Sequence, residues 1–186
     1  NRLLQQRLRA GDAGSVIRAE RLLGVVPPGR LGTDTIDRRM AEVDAVLQHY
    51  EAWRGGESIG PATFAVDLGG GRAVPITVPD VCGTSIMRAT FAKIRVAHVL
   101  GIWPELLALA AAFPDQAWSA KVSARGGWLD LAAPAAQQAK AILERMFALA
   151  EAGLRRPSPL MPETGFAYAK AQRGHDPVAA GRAAGK

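Results

Sequence analysis

Apolar residues recur along this chain in two rhythms, and the change of rhythm divides it. Ile36, Met40, Val43, Leu47 and Tyr50 follow at alternating steps of four and three. At 3.6 residues per turn they share a face, which predicts an amphipathic helix over 34–53. Thr33 or Asp34 is placed to cap its start through a side-chain oxygen, and the helix should stop ahead of Gly55 and Gly56. Upstream, Leu3, Leu4 and Leu8, then Val16, Ile17, Leu22 and Leu23, mark two short helical stretches broken at Gly11 and Gly14. Residues 24–32, rich in glycine and proline, read as a turn-rich connection.

Past Gly60 the period falls to two. Runs at 63–68 and 72–78 flank Gly69, Gly70 and Gly71 and predict a β-hairpin, because glycine supplies the positive φ that a tight turn requires. Pro75 and Pro79 place the second strand at an edge or make it irregular. A third strand is expected over 86–91. The helical rhythm returns over 93–113, with Val96, Val99, Leu100, Trp103, Leu107 and Ala110 expected inside. Pro104 predicts a kink near Trp103 or two abutting helices. Residues 117–125 alternate again: Trp118, Ala120, Val122 and Ala124 face inward, and Ser119, Lys121, Ser123 and Arg125 face outward. A short returning strand is expected over 128–131. Pro134 should open a last long helix with Ala139, Ile142, Leu143, Met146, Phe147 and Ala150 inside, closed by Gly153. An extended linker and a short helix near 162–172 follow. Trp103 and Trp118, each on an apolar face, should both be largely buried.

This order predicts an α/β fold: a mixed sheet with flanking helices. The expected organisation is one domain over 1–173, with a helical part (1–53), a sheet core (62–152), a linker with a short helix (153–173), and a mobile Gly/Ala-rich tail at 174–186. No internal repeat is present. The chain lacks a starting methionine and is expected to be a piece of a longer one.

Composition changes the picture in two ways. With 186 residues, 48% hydrophobic and 22% charged, the chain can bury a core without staples. Cys82 is its single cysteine, so an internal disulfide and a cysteine-based zinc cluster are excluded. The formal net charge is +6 and mostly arginine, a side chain whose planar fork suits phosphate and carboxylate. The most apolar stretch, 96–113, is interrupted by His98, Pro104 and Glu105, so neither a membrane span nor a membrane partner is expected, and the location is read as cytoplasmic.

Chemistry-bearing motifs are few. Gly69-Gly70-Gly71-Arg72 is followed by a strand and lacks the Lys-Ser/Thr of a phosphate loop. His49, His98 and His175 are scattered, and no serine or cysteine occupies a nucleophile motif. No catalytic residue, metal site or cofactor is expected. Arg88, Lys93 and Arg95 cluster where the third strand meets the long helix, and Lys121 and Arg125 project from the polar side of the fourth strand. If those strands are neighbours, the five residues form a candidate DNA-binding patch that reads phosphates rather than bases. The plainer reading of the same residues is a solvated surface or an ion-paired subunit contact.

The element order resembles the core of restriction-endonuclease-like nucleases. The local sequence adds a closer likeness. KIRVAHVLGIWPELLALAAAFPDQAW at 93–118 holds His98, Trp103, the run Leu106-Leu107-Ala108-Leu109, and Trp118. PPGRLG lies at 27–32, and AGLRRPSPLMPETGFAYA at 152–169. In this order the three segments resemble the C-terminal domain of the RecC family, the γ chains of exodeoxyribonuclease V. Pro104 inside the long helix departs from that pattern, and the chain is expected to stop at Lys186 short of the acidic Gly-Glu and Asp-Pro segment near the family's end.

The resemblance implies a nuclease-like domain without a working active site, in a RecBCD helicase–nuclease that processes double-strand DNA ends for recombination. Its implied partners are the RecB and RecD subunits and the duplex end. Active nucleases of that fold carry an Asp at the end of the second strand and Asp/Glu-x-Lys on the third. Asp80 sits at about the first place, but the third strand has no carboxylate, and Lys93 has no acidic neighbour. One carboxylate does not hold a hard dication that takes several oxygens. Glu42 or Asp44 could supply a second, though both read as a solvated helix face. Two alternatives therefore stand beside the non-catalytic, DNA-guiding reading. One is a divergent Mg²⁺-dependent nuclease using Asp80; the other is a protein-interface adaptor without DNA contact.

Overall fold

The computed structural model describes residues 3–5, 7, 12–24, 29–69, 71–156 and 162–173. Among the described residues, 3–5 and 7 are helical, and after them come α1 (Ala13–Leu22), α2 (Arg30–Arg54), β1 (Gly60–Asp67), β2 (Ala73–Cys82), β3 (Ser85–Thr90), α3 (Val96–Ala112), β4 (Ser119–Ala124), β5 (Gly127–Ala132), α4 (Ala136–Arg155) and α5 (Pro162–Arg173). The strands form one mixed sheet in the order β1-β2-β3-β4-β5. β2–β3 and β4–β5 are antiparallel and β3–β4 is parallel. Parallel neighbours need a long crossover, and α3 lies in it. The expected α/β class and shared sheet are what the chain forms. The linker residues 157–161 and the tail 174–186 lie outside the described residues.

The chain divides into two compact units, one of Asn1–Ala62, Val78–Ile94 and Ser119–Ala132, the other of Thr63–Thr77, Arg95–Trp118 and Ala133–Lys186. In the first unit, α1 starts at Asp12, whose carboxylate accepts from the Gly14 and Ser15 N–H groups at 3.1 and 2.7 Å. This cap carries the helix through Gly14, which had been expected to break it. The Ser15 side-chain hydroxyl bond, followed by these backbone bonds, holds the Asp12 carboxyl below the usual carboxylate range.

α2 begins a turn earlier than Thr33 and Asp34 suggest. Gly29 precedes it with φ 78°, and Arg30, Leu31 and Gly32, expected in a turn, are helical. Its end agrees with the sequence: Gly55 has φ 58°, and its N–H bonds the Glu51 carbonyl at 3.1 Å. The buried stripe of α2 holds Ile36, Met40, Val43, Val46 and Leu47. Ile36 and Met40 pack with Val16, while Val43, Val46 and Leu47 pack with Leu4, Ala89 and Phe91. Each such aliphatic side chain contributes about 1.5–3 kcal/mol on burial. Between β2 and β3, Cys82 pairs with Ser85 around a two-residue turn, and Gly83 supplies its φ of 54°. The buried Cys82 thiol donates to Glu57 Oε2 at 3.6 Å, and burial, then that bond, pushes its pKa up.

β2 lies between β1 and β3 rather than at an edge and continues past both prolines to Cys82, but it is irregular, the other half of the reading of Pro75 and Pro79: Asp80 within it has a φ of 59°. Its described pairing with β3 covers Val81 and Cys82, so neither proline withholds a donor from that ladder. Ser123 was expected to point outward. It is fully buried instead, and its hydroxyl donates to the Val46 carbonyl of α2 at 2.7 Å.

In the second unit, α3 packs against α4 and α5. α3 is a single helix with Pro104 inside it, and it starts three residues after Lys93. Its buried residues are Ile102 and Leu106 to Ala110. The expected face is right at Leu107 and Ala110 and wrong toward the start of the helix, where Leu100 is exposed and Trp103 only half-buried. A run of Leu and Ala gives almost no periodicity, so pattern alone does not locate the buried side. Trp118 is buried as expected, its indole N–H donating to the Phe113 carbonyl at 3.3 Å. Pro134 lies one residue before the cap of α4, at Ala135, rather than inside the helix, and Gly153 is carried within it. The hairpin tip is tied to α4 by Arg72–Glu151 at 2.7 Å and Lys140–Asp67 at 3.3 Å.

Three outcomes are expected of this packing. Ser123→Ala is expected to lower the unfolding free energy in urea by about 1 kcal/mol, and Leu109→Ala by about 2–5 kcal/mol. Identical urea midpoints for Ser123→Ala and the unaltered chain would show that the α2–β4 bond does not form. The Cys82 thiol is expected to resist a disulfide reagent at neutral pH in the native chain and to react once urea exposes it, because a raised pKa and burial both suppress the thiolate.

Candidate nucleic-acid interface

Register decides which basic residues can meet. β3 and β4 pair residue for residue, Ser85 with Ser119 through Thr90 with Ala124, so partners share a face of the sheet. Ser85, Met87 and Ala89 therefore share one face with Ser119, Lys121 and Ser123, and the Ser85 and Ser119 hydroxyls meet at 2.8 Å. Helix α2 covers this face. The Lys121 ammonium lies 5.9 Å from the Trp53 ring centroid. Arg125 reaches Glu42 Oε2 at 3.9 Å, and its guanidinium lies 5.5 Å from the Phe91 ring centroid. Alternate residues of β4 and its end thus meet Trp53, Val46 and Glu42 in reverse order along α2.

Arg88 leaves from the opposite face, with Ile86 and Val122, and its Nε lies 3.7 Å from Asp80 Oδ2. Adjacent in register, Arg88 and Lys121 are separated by the sheet itself. Arg95 belongs to the second unit. There its N–H donates to His98 Nδ1 at 3.0 Å at the start of α3, so His98 caps that helix. Lys93 is exposed, one residue past Ala92, whose carbonyl accepts from the Arg125 N–H at 3.2 Å. Of the five basic residues expected in one patch, the fold brings Lys121 and Arg125 to one face and sets Lys93 beside Arg125 in the backbone.

Residues missed by the sequence reading, Arg38 and Arg39 above all, complete this corner beside Glu42 and Arg125, which it named. Thr35, Arg38, Arg39 and Glu42 of α2, with Phe91 and Arg125, line an open recess of about 220 Å³. Arg38 and Arg39 are exposed. The Thr35 hydroxyl donates to the Leu31 carbonyl at 2.7 Å and is thereby spent on its own helix. Phe91 packs against the core cluster of Leu4, Val43, Val46 and Leu47, so the ring is a wall rather than a stacking platform. The recess sets three guanidinium groups against one carboxylate. In sequence, 35, 38, 39 and 42 look like the polar face of any helix. The spacing marks a shared face, but only the arrival of Arg125 from β4 makes it a site.

The three acidic residues that the nuclease reading turns on each face an arginine. Asp80 pairs with Arg88, Glu42 with Arg125, and Asp44 with Arg7 at 3.0 Å. Asp80 has a φ of 59°, a left-handed conformation that aspartate tolerates better than most side chains. Burial, then the charge of Asp80, pushes the Tyr50 hydroxyl pKa up. Among the described residues, no three or more His, Cys, Asp or Glu side chains gather as a metal would need. No helix among them is long and apolar enough to cross a membrane.

Comparison with known proteins places this geometry in a family. A family model for the RecC C-terminal domain matches residues 1–173. The RecBCD enzyme subunit RecC of Mycolicibacterium smegmatis is 34% identical over 192 residues, covering 95% of this chain and 17% of that protein. RecBCD enzyme subunit RecC of Mycobacterium tuberculosis H37Rv is 33% identical over 190 residues, covering 95% of this chain and 16% of that protein. The chain spans about a sixth of the length of these curated relatives. It belongs to the RecC C-terminal domain family.

Proposed function

We propose that this chain is a non-catalytic, DNA-guiding domain of an exodeoxyribonuclease V γ chain, working in the cytoplasm with RecB and RecD subunits on double-strand DNA ends. The family match carries this reading. The curated relatives bear the name of a RecBCD subunit, and they extend it to this chain by similarity.

The domain spans residues 1–173 and has a restriction-endonuclease-like core without a working active site. A helix, a three-stranded meander, a crossover through α3 and a strand parallel to β3 support that core. The Asp80–Arg88 pair supports its inactivity. A nuclease of this fold would present a carboxylate on β3. This β3 presents Arg88, a cation that neutralises Asp80 and repels a metal ion. Lys93, Lys121 and Arg125 act on the DNA backbone; Arg88 serves Asp80, and Arg95 stands at the start of α3.

The test uses the full γ chain assembled with its β and α partners. Asp80→Ala is expected to leave cleavage of linear duplex unchanged; loss of cleavage would promote the divergent Mg²⁺ nuclease. Lys121→Ala with Arg125→Ala is expected to weaken DNA-end binding equally for all sequences. It should also flatten the slope of log affinity against log salt by up to about 2, near 0.9 per lost phosphate contact. An unchanged slope with a weakened hold on the β chain would favour the protein-interface adaptor.

A further inference from the structure

We infer that the α2–β4 corner is a phosphodiester anchor in which Arg38 and Arg39, together with Arg125, grip one stretch of nucleic-acid backbone. The inference rests on the DNA-guiding reading and supplies it with a site that none of the expected patch residues except Arg125 belongs to.

The recess is built to take an anion. Three arginines and one glutamate line it, so its own side chains leave a local charge of about +2. Arg125 is held by Glu42 at 3.9 Å and by the Phe91 ring, while among the described residues Arg38 and Arg39 have no acidic partner within ion-pair distance. The Glu42–Arg125 pair is weak: both side chains are over two-fifths exposed, at 43% and 44%, and 3.9 Å is at the limit of an ion pair. Exposed pairs of this kind are worth at most about 1 kcal/mol. An arriving anion therefore competes with Glu42 for Arg125 at small cost.

The shape favours phosphate over base. A flipped or single-stranded base needs an open aromatic face and hydrogen-bond groups for its edge. Phe91 has Arg125 at 5.5 Å and packs on the core through Leu4, Val43 and Leu47. The Thr35 hydroxyl is already committed to Leu31. What is left to a ligand is guanidinium forks. A tetrahedral phosphate accepts from several directions at once, whereas a planar carboxylate is satisfied by one fork. Three forks from two elements suit the phosphate, and they read no sequence. Their rigidity comes from below. α2 is fastened to β4 by the Ser123–Val46 bond, and Arg125 by its backbone bond to Ala92.

The experiment measures binding of the assembled complex to a fluorescent duplex end and to oligothymidine between about 50 and 200 mM salt. Arg38→Ala with Arg39→Ala should flatten the salt slope by up to about 1.8 on duplex or about 1.4 on single strand. Arg38→Lys with Arg39→Lys should keep most of the slope but bind more weakly, since lysine keeps the charge and loses the fork. Glu42→Gln should tighten binding about two- to five-fold by releasing Arg125. A wild-type slope in the Arg38/Arg39 double variant, with a flattened slope in Lys121→Ala/Arg125→Ala, would overturn the anchor and leave the DNA-guiding reading standing. Wild-type slopes in both variants would remove both. Loss of the β chain from purified Arg38→Ala/Arg39→Ala complex, at an unchanged DNA slope, would overturn the anchor in favour of an acidic protein segment.

Discussion

Ser123, one residue before the end of β4, has no solvent-accessible surface, and a buried hydroxyl without a partner costs about 1–3 kcal/mol. Its partner is the Val46 carbonyl on α2, 77 residues away in the chain. That bond fixes which turn of the helix lies over which residue of the strand. The apolar contacts around it, Val43, Val46 and Leu47 against Ala89, Phe91 and Leu4, supply most of the adhesion but slide more easily than a hydrogen bond does. With this seam set, Lys121 falls on Trp53 and Arg125 falls beside Glu42. T-shaped contact of Trp53 with Trp128, ring centroids 6.2 Å apart, extends the same seam to β5.

The sheet then acts as a sorting plane for charge. Parallel in-register pairing of β3 and β4 sends Arg88 to one side and Lys121 to the other, however close their backbones run. On one side Arg88 neutralises Asp80. On the α2 side, the recess around Arg38, Arg39 and Arg125 sets these three cations against a single lining carboxylate, Glu42. The two positions that matter for a nuclease reading and a DNA-contact reading are thus on opposite faces, so one can be altered without touching the other.

Local chemistry and long-range contact played distinct parts. The helix stripe from Ile36 to Leu47, the stop at Gly55, the glycine hairpin, the strand character of β4 and the burial of Trp118 were all legible, because each depends on neighbours within a few residues. The family likeness was legible in the run from Lys93 to Trp118. Errors fell where local rules were outweighed. Asp12 capped a helix through Gly14, α3 absorbed Pro104, and β2 continued past Pro79 because its pairing with β3 lies beyond it.

Sequence by itself therefore determined the class of fold, the order of its elements, the family, and the lack of a carboxylate on the third strand, since these follow from residue type and spacing along one segment. Only the tertiary structure decided which side of the sheet each cation leaves from, that Ser123 is buried, and that Arg38 and Arg39 on α2 meet Arg125 at the end of β4. The reason is physical: a side-chain period of two states that alternate residues differ in face, but not which face another element will cover. That choice is made by a hydrogen bond and a packed stripe between segments far apart in the chain.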